Sequence, residues 1–341
     1  MSKSFNFADY ANTPEEERPV LSVVTPAYNE SANVPVMYER LVQALDAAKL
    51  DWEWVVVDDH SADDTFAVLG RLSAADARVR AVRLARNFGS HMAITCGLHG
   101  CRGQAAVIMA SDLQDPPEVI PDLLSRWREG DQVVWAVRRR REGETVTTIG
   151  FSRLYLWLMR HIVGIREMPA SGADFMLLDR CVIDAFLQFR EANVSIVALL
   201  TWMGFRQGSI LYDKQARLHG RSGWTLKKKL KLVVDSVTSF TYAPIRAMSY
   251  VGFAVAVLGL LYAAYVLVYA LHGNPVSGWA SLMIVVLVIG GVQMVMLGVL
   301  GEYLWRALDE SRQRPRYLVE ATTAEMARAR SALAGSVREE R

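Results

Sequence analysis

The stretch "VIMASDLQDPPEVI", residues 107 to 120, runs from apolar residues straight into Ser111, Asp112, Gln114 and Asp115. Oxygen donors also follow two earlier apolar runs, in "TPAYNE" (25 to 30) and "DDHSADDT" (58 to 65). Carboxylates and an amide oxygen gathered in one place suit a hard divalent cation, Mg²⁺ or Mn²⁺, which takes oxygen ligands and shares them with substrate phosphates. No Walker loop and no GxGxxG follows the first run, which argues against an ATPase and a dinucleotide enzyme. What remains is a nucleoside-diphosphate site, in which the metal neutralises a diphosphate leaving group and Asp58 and Asp59 hydrogen-bond a base or ribose. A single acidic run can be a helix cap, and Asp58, Asp59, Ser61 and Asp64 all admit that reading. Three such runs converging favour a ligand site.

The elements that must position these groups are strands at 21–26, 54–59, 79–84, 105–112 and 133–138. Helical stretches lie between them at 31–48, 62–75, 89–101 and 117–128, the last opened by Pro116 and Pro117. Near-continuous Val and Ile runs imply strands covered on both faces, hence a doubly wound, mainly parallel α/β sheet. Ligands of such sheets bind outside the carboxyl ends of the strands, where the three polar runs fall.

Hydrophobic residues make up 52% of the 341, and the excess sits late. No Asp, Glu, Lys or Arg occurs between Arg246 and Glu302, and 251–271 and 279–301 are each long enough to cross a bilayer. A transmembrane helical hairpin is expected over 246–302. Lys227, Lys228, Lys229, Lys231 and Arg246 precede it, Arg306, Arg312, Arg314 and Arg316 follow it, and its turn has no basic residue. The positive-inside rule therefore places both ends of the chain in the cytoplasm. Leu226, Leu230, Val233, Val237 and Phe240 form a stripe beside the lysines, as in an interfacial amphipathic helix over 223–245. Phe151, Leu154, Tyr155, Leu158, Met159 and Ile162 form another helical stripe. Residues 1–18 read as a flexible leader, and 303–341 as a cytoplasmic tail, a solvated helix or frayed end past Arg316. Cys96, Cys101 and Cys181 match no zinc spacing and are expected as reduced thiols. His60 and His91 are expected to be structural. A net charge of +2 argues for no nucleic-acid partner.

"VVTPAYNE", "VVVDDHSADDT", "RNFGSHMAITCGL", "SDLQDPPE", "GADFMLLDR", "GFRQGSILYDKQARLHGRSGW" and "GEYLWRALDESRQRPRYLV" occur in this order. In order and spacing they resemble the family-two glycosyltransferases that load sugars onto polyprenyl phosphate, such as bactoprenol glucosyl transferases, dolichyl-phosphate mannose synthases and undecaprenyl-phosphate aminoarabinose transferases. The resemblance covers about residues 19 to 318. It implies a GT-A domain over 19–222 and inverting transfer of a hexose-like sugar from a nucleotide sugar, UDP-linked by analogy, to a membrane lipid phosphate. Carried over by position, it implies that Pro26, Tyr28, Glu30 and Asp58 hold the nucleotide, with Asp59 nearby, and that Asp112 and Gln114 ligate the metal. Asp174 matches the aspartate usually assigned to catalysis, and Arg217, Arg221 and Ser222 lie in the basic loop that grips phosphates. A homotetramer, a flippase and a periplasmic transferase are partners implied by the same resemblance.

Two residues depart from the family pattern. Ala110 stands where relatives carry the first carboxylate of "DADLQ", and Met176 where many carry arginine. A cation held by Asp112, Gln114 and two diphosphate oxygens would complete its shell with water, so activity with weaker metal affinity is expected. Transfer to another lipid and a catalytically impaired nucleotide-sugar sensor are the competing readings. A processive synthase is disfavoured, because it would carry more spans and a QxxRW motif.

Overall fold

A computed structural model describes residues 19–139, 150, 155–165, 174–189, 191, 195–215, 233, 235–271 and 278–324. Strands β1 (Leu21–Ala27), β2 (Trp52–Asp58) and β3 (Val79–Leu84) run parallel, as do β1 and β4 (Ala105–Ile108). Strand β5 (Val133–Arg138) is parallel to β7 (Gln207–Tyr212), and β6 (Met176–Asp179) lies antiparallel between β4 and β5. With β8 (Val319–Thr322), the order is β7-β5-β6-β4-β1-β2-β3-β8.

Helices α1 (Asn33–Ala47), α2 (Thr65–Ala75), α3 (Ser90–Gly100), α4 (Ile120–Arg128), α5 (Arg180–Gln188) and α6 (Ile196–Trp202) accompany the sheet. Every residue of β2 is buried, as both faces being covered requires. One apolar core joins Val23, Trp54 and Val107 to Met37 and Leu41 of α1, and another joins Val24, Val55 and Ile108 to Leu98, Ile183 and Leu199. The chain leaves β1 for β2 and β3 on one side and returns to β4 on the other. The switch point is therefore beside β1, where doubly wound sheets open a crevice.

Two expectations change. Strand β4 stops at Ile108 rather than continuing to 112, because its ladders with both β1 and β6 end there. The short strand β6 makes the sheet mixed, though still mainly parallel. Residues 319–322, expected within a solvated tail, form β8 and pair antiparallel with β3. This covers the edge of β3, and Ala81 N–H donates to Thr323 Oγ1 at 3.1 Å. So short and polar a strand carries no legible period.

Two long helices, α7 (Ala243–Leu271) and α8 (Trp279–Ser311), are long and apolar enough to cross a membrane. No residue of their apolar windows is buried, so they are not core helices of the transferase domain. Both run past the apolar segments, α8 by its last ten residues. Residues 235–240 are helical, and Arg306 of α8 bonds Asp235 at 2.6 Å while Tyr303 Oη donates to Thr241 O at 2.7 Å. The leader, Leu226 and Leu230 of the stripe beside the lysines with Lys227, Lys228, Lys229 and Lys231, and Phe151 and Leu154 of the other stripe lie outside the described residues. Tyr155 and Met159 of that stripe pack with Ala198 of α6 and Phe240.

Candidate active site

The antiparallel entry of β8 sets how the sheet faces the membrane helices. Val319 pairs with Leu84, and Leu318 O accepts from Ala85 N–H at 2.8 Å, so the chain leaving α8 arrives at the carboxyl end of β3. The carboxyl ends of β1, β2 and β4 lie along the same edge.

Non-glycine residues adopt left-handed backbone just beyond each of these ends: Asn29 (φ 57°), His60 (φ 61°) and Leu113 (φ 59°). Such residues cost on the order of 1–3 kcal/mol each and gather at functional sites. Side chains bind the first two turns together. Asn29 Oδ1 accepts from Ala62 N–H at 2.8 Å, and Asn29 N–H donates to Ser61 Oγ at 2.9 Å. At the third, Leu113 is buried in the core, and Asp112 Oδ1 accepts from Gln114 N–H across it at 3.2 Å. Ser111 Oγ donates to Pro26 O at 3.2 Å, joining this turn to β1.

Asp58 is fully buried. Its Oδ1 accepts from Ser61 N–H at 3.0 Å and from Ser61 Oγ, while Oδ2 has no hydrogen-bond partner. Asp59 accepts from Phe88 N–H at 2.7 Å and Gly89 N–H at 2.8 Å, one on each oxygen. Burial, with the neighbouring Asp58 charge, holds its carboxyl above the usual range. The structure thus gives Asp59 the work of anchoring the loop before α3. That loop borders a cavity of about 750 Å³ shared with Tyr303 and Arg306 of α8. Tyr28 is exposed, and Glu30 accepts from Asn33 Nδ2 while its backbone N–H donates to Thr65 Oγ1.

On the β4 side, the structure gives Asp115, one of the oxygen donors singled out in sequence, two neighbours to which sequence reasoning gave no role. Asp115 is buried, and Tyr212 Oη donates to its Oδ1, with Lys214 Nζ 3.8 Å away. Its Oδ2 has no hydrogen-bond partner. Burial is the main reason its carboxyl is held above the usual range, and the charges of Asp112 and Asp174 add to it. Asp174 is 68% exposed, 3.8 Å from Arg138. Gln215 N–H donates to Gln114 O at 2.8 Å, so the segment after β7 rests on the turn that carries Asp112 and Gln114. Arg217, Arg221 and Ser222 lie outside the described residues, just beyond Gln215. Lys214 and Tyr212 do sit inside the "GFRQGSILYDKQARLHGRSGW" motif, the one signal that pointed to them.

Among the described residues no group of three or more His, Cys, Asp or Glu side chains would hold a metal unaided. Asp112 and Gln114 offer oxygen donors, and the buried Asp115 Oδ2 close to Asp112 has no hydrogen-bond partner. This donor set fits a hard cation that draws the rest of its shell from phosphates and water.

Acidic strand ends at the switch point of a mixed α/β sheet, with two long apolar helices joined to the same edge, fit a membrane-associated transferase of GT-A fold. Residues 22–176 match the model described as Glycosyl transferase family 2, and 243–306 match that of the GtrB C-terminal hairpin. The chain is 37% identical over 300 residues to the "Uncharacterized glycosyltransferase YkcC" of Bacillus subtilis (strain 168), covering 88% of this chain and 93% of that one. It is 32% identical over 300 residues to the bactoprenol glucosyl transferase of Shigella phage SfV, covering 88% and 97%. The protein belongs to glycosyl transferase family 2 and is a glycosyltransferase.

Proposed function

We propose that this protein transfers a sugar, with inversion, from a nucleoside-diphosphate sugar, UDP-hexose by class, to undecaprenyl phosphate at the cytoplasmic face of the bacterial plasma membrane. The observation that carries this reading is the shared edge. The acidic strand ends and the chain leaving the membrane helices meet there, so a soluble donor and a lipid-held phosphate can be brought together. Similarity to a bactoprenol glucosyl transferase across both the catalytic domain and the hairpin supports the acceptor class.

In this reading Pro26, Tyr28, Glu30 and Asp58 hold the nucleotide, and Asp59 fixes the loop beside it. Asp112 and Gln114 hold Mg²⁺ or Mn²⁺, and Arg217, Arg221 and Ser222 bind phosphate. The cation, when bound, offsets charge on the departing diphosphate. A phosphate monoester has its second pKa near ~6, so the acceptor is mostly dianionic at neutral pH and already nucleophilic. One of its oxygens bonds to the anomeric carbon as the carbon–oxygen bond to the diphosphate breaks, and the electron pair leaves with the nucleoside diphosphate. The protein's share is positioning and charge stabilisation. Asp174, exposed beside Arg138, orients the acceptor or takes a residual proton. The lipid-linked sugar then needs a flippase and a second, periplasmic transferase to reach a cell-envelope glycan or lipopolysaccharide.

The test is transfer from radiolabelled UDP- and GDP-sugars by detergent-solubilised full-length protein, offered undecaprenyl phosphate and diacylglycerol separately, with and without chelator. Chelator-sensitive label in undecaprenyl phosphate from one donor is expected. Label in diacylglycerol alone, or in neither lipid by folded protein, overturns the reading.

A further inference from the structure

The strand that follows the membrane hairpin does more than cover an edge. Leu84 pairs with Val319 and Arg83 with Ala321, so Glu320 is the extra residue of a β-bulge. Bulges re-aim side chains and are enriched beside active sites. Here the Glu320 carboxylate accepts from Arg83 Nε at 3.1 Å and lies 3.2 Å from His60 Nδ1. His60 Nδ1 is also 3.0 Å from Leu84 O. Both neighbours are acceptors, so this nitrogen carries the ring proton.

Arg83 stands directly across from Asp58 in the β2–β3 register. Its Nη2 donates to Ser61 O at 3.2 Å, and its Nε is 3.8 Å from Asp58 Oδ2, the buried oxygen without a hydrogen-bond partner. Ser61 in turn holds Asp58 Oδ1 and receives Asn29 N–H. A continuous set of polar contacts therefore runs from β8 through Arg83 and His60 to the turns after β2 and β1. The left-handed His60 gains a partner on a strand that arrives more than 250 residues later in the chain.

We propose that Glu320 is a positioning residue for the nucleotide site. It fixes the Arg83 guanidinium and the Asp58–Ser61 turn, and so makes nucleotide affinity depend on the strand that leaves the membrane hairpin. This rests on the reading that Asp58 binds the nucleotide. Glu320 touches no substrate in it; it acts through Arg83.

The test is UDP and GDP binding by titration calorimetry on the full-length protein in detergent, for wild type, Glu320→Ala, Arg83→Met, the double variant and Asp58→Asn. Glu320→Gln serves as a milder second variant, and thermal unfolding is recorded for each. Glu320→Ala is expected to weaken the better-bound nucleotide by about threefold to tenfold, the range of coupled neighbours. In the Arg83→Met background the same change is expected to cost less than about twofold. An equal loss in both backgrounds overturns the inference, because an edge strand that merely stabilises the sheet acts without Arg83. Weaker binding by Asp58→Asn with unchanged binding by Glu320→Ala and Glu320→Gln also overturns it, and leaves the nucleotide reading standing. Unchanged binding by Asp58→Asn overturns that reading and, with it, this one.

Discussion

Ala110 stands two residues before Asp112, where a carboxylate would add a second charge to a bound cation. Restoring it with Ala110→Asp is expected to lower the Mn²⁺ concentration that half-saturates transfer by about tenfold, roughly the worth of one charge-assisted contact. An unchanged metal requirement would show that position 110 does not face the cation. Asp115 makes the opposite kind of demand, because it is buried and its ionised form depends on Tyr212 and Lys214. Tyr212→Phe removes the donor to Asp115 Oδ1 and is expected to cost about 1–3 kcal/mol of stability, read by thermal unfolding in detergent. Asp112 and Gln114, proposed here as metal ligands, stand out in sequence because they follow an apolar run at the end of a strand. The pairing of Asp115 with Tyr212 is not legible, because it joins positions 97 residues apart through β7, and no local pattern encodes that meeting.

At the scale of elements, the parallel strands announce themselves by their Val and Ile runs, whereas β6 and β8 are four residues each and are made only by their neighbours. Burial depth in β2 is visible as apolar continuity, but Glu53 interrupts it. Glu53 is buried at the end of the sheet away from the site, bonded to Ser22 Oγ at 2.7 Å, Arg80 at 2.7 Å and Arg102 N–H at 2.6 Å. Burial alone would raise its carboxyl, but Arg80 and Arg102 outweigh it, and the net shift is below the usual glutamate range. A carboxyl depressed in the folded state contributes stability above its unfolded pKa and loses it as pH falls through the folded value. Glu53→Gln is therefore expected to cost about 1–3 kcal/mol near neutrality, because Arg80 and Arg102 lose their countercharge while keeping some contact with solvent. It should also flatten the acid limb of a stability–pH profile recorded by thermal unfolding. A variant with the wild-type acid limb would show that Glu53 carries none of that dependence.

Across the whole molecule, two long apolar helices and a returning strand hold the acidic edge of the sheet toward one side. The hairpin was readable from its charge-free span, but the direction in which the sheet faces was not, since it depends on the antiparallel entry of β8. If both ends of the chain are cytoplasmic, a reporter fused after residue 341 should be active only in its cytoplasmic form, and one inserted at 274 only in its exported form. The reverse pattern would move the catalytic edge to the wrong compartment for a soluble nucleotide sugar. Sugar transfer to a lipid phosphate at this edge is the reaction proposed. It is tested most directly by measuring the rate of sugar transfer to undecaprenyl phosphate by wild type and Asp174→Asn in the same liposomes, with nucleotide affinity measured alongside. A rate at least about a hundredfold lower is expected for the variant, the order for a lost positioning or proton-accepting group, with nucleotide affinity kept within about twofold. Transfer by Asp174→Asn at the wild-type rate would contradict it.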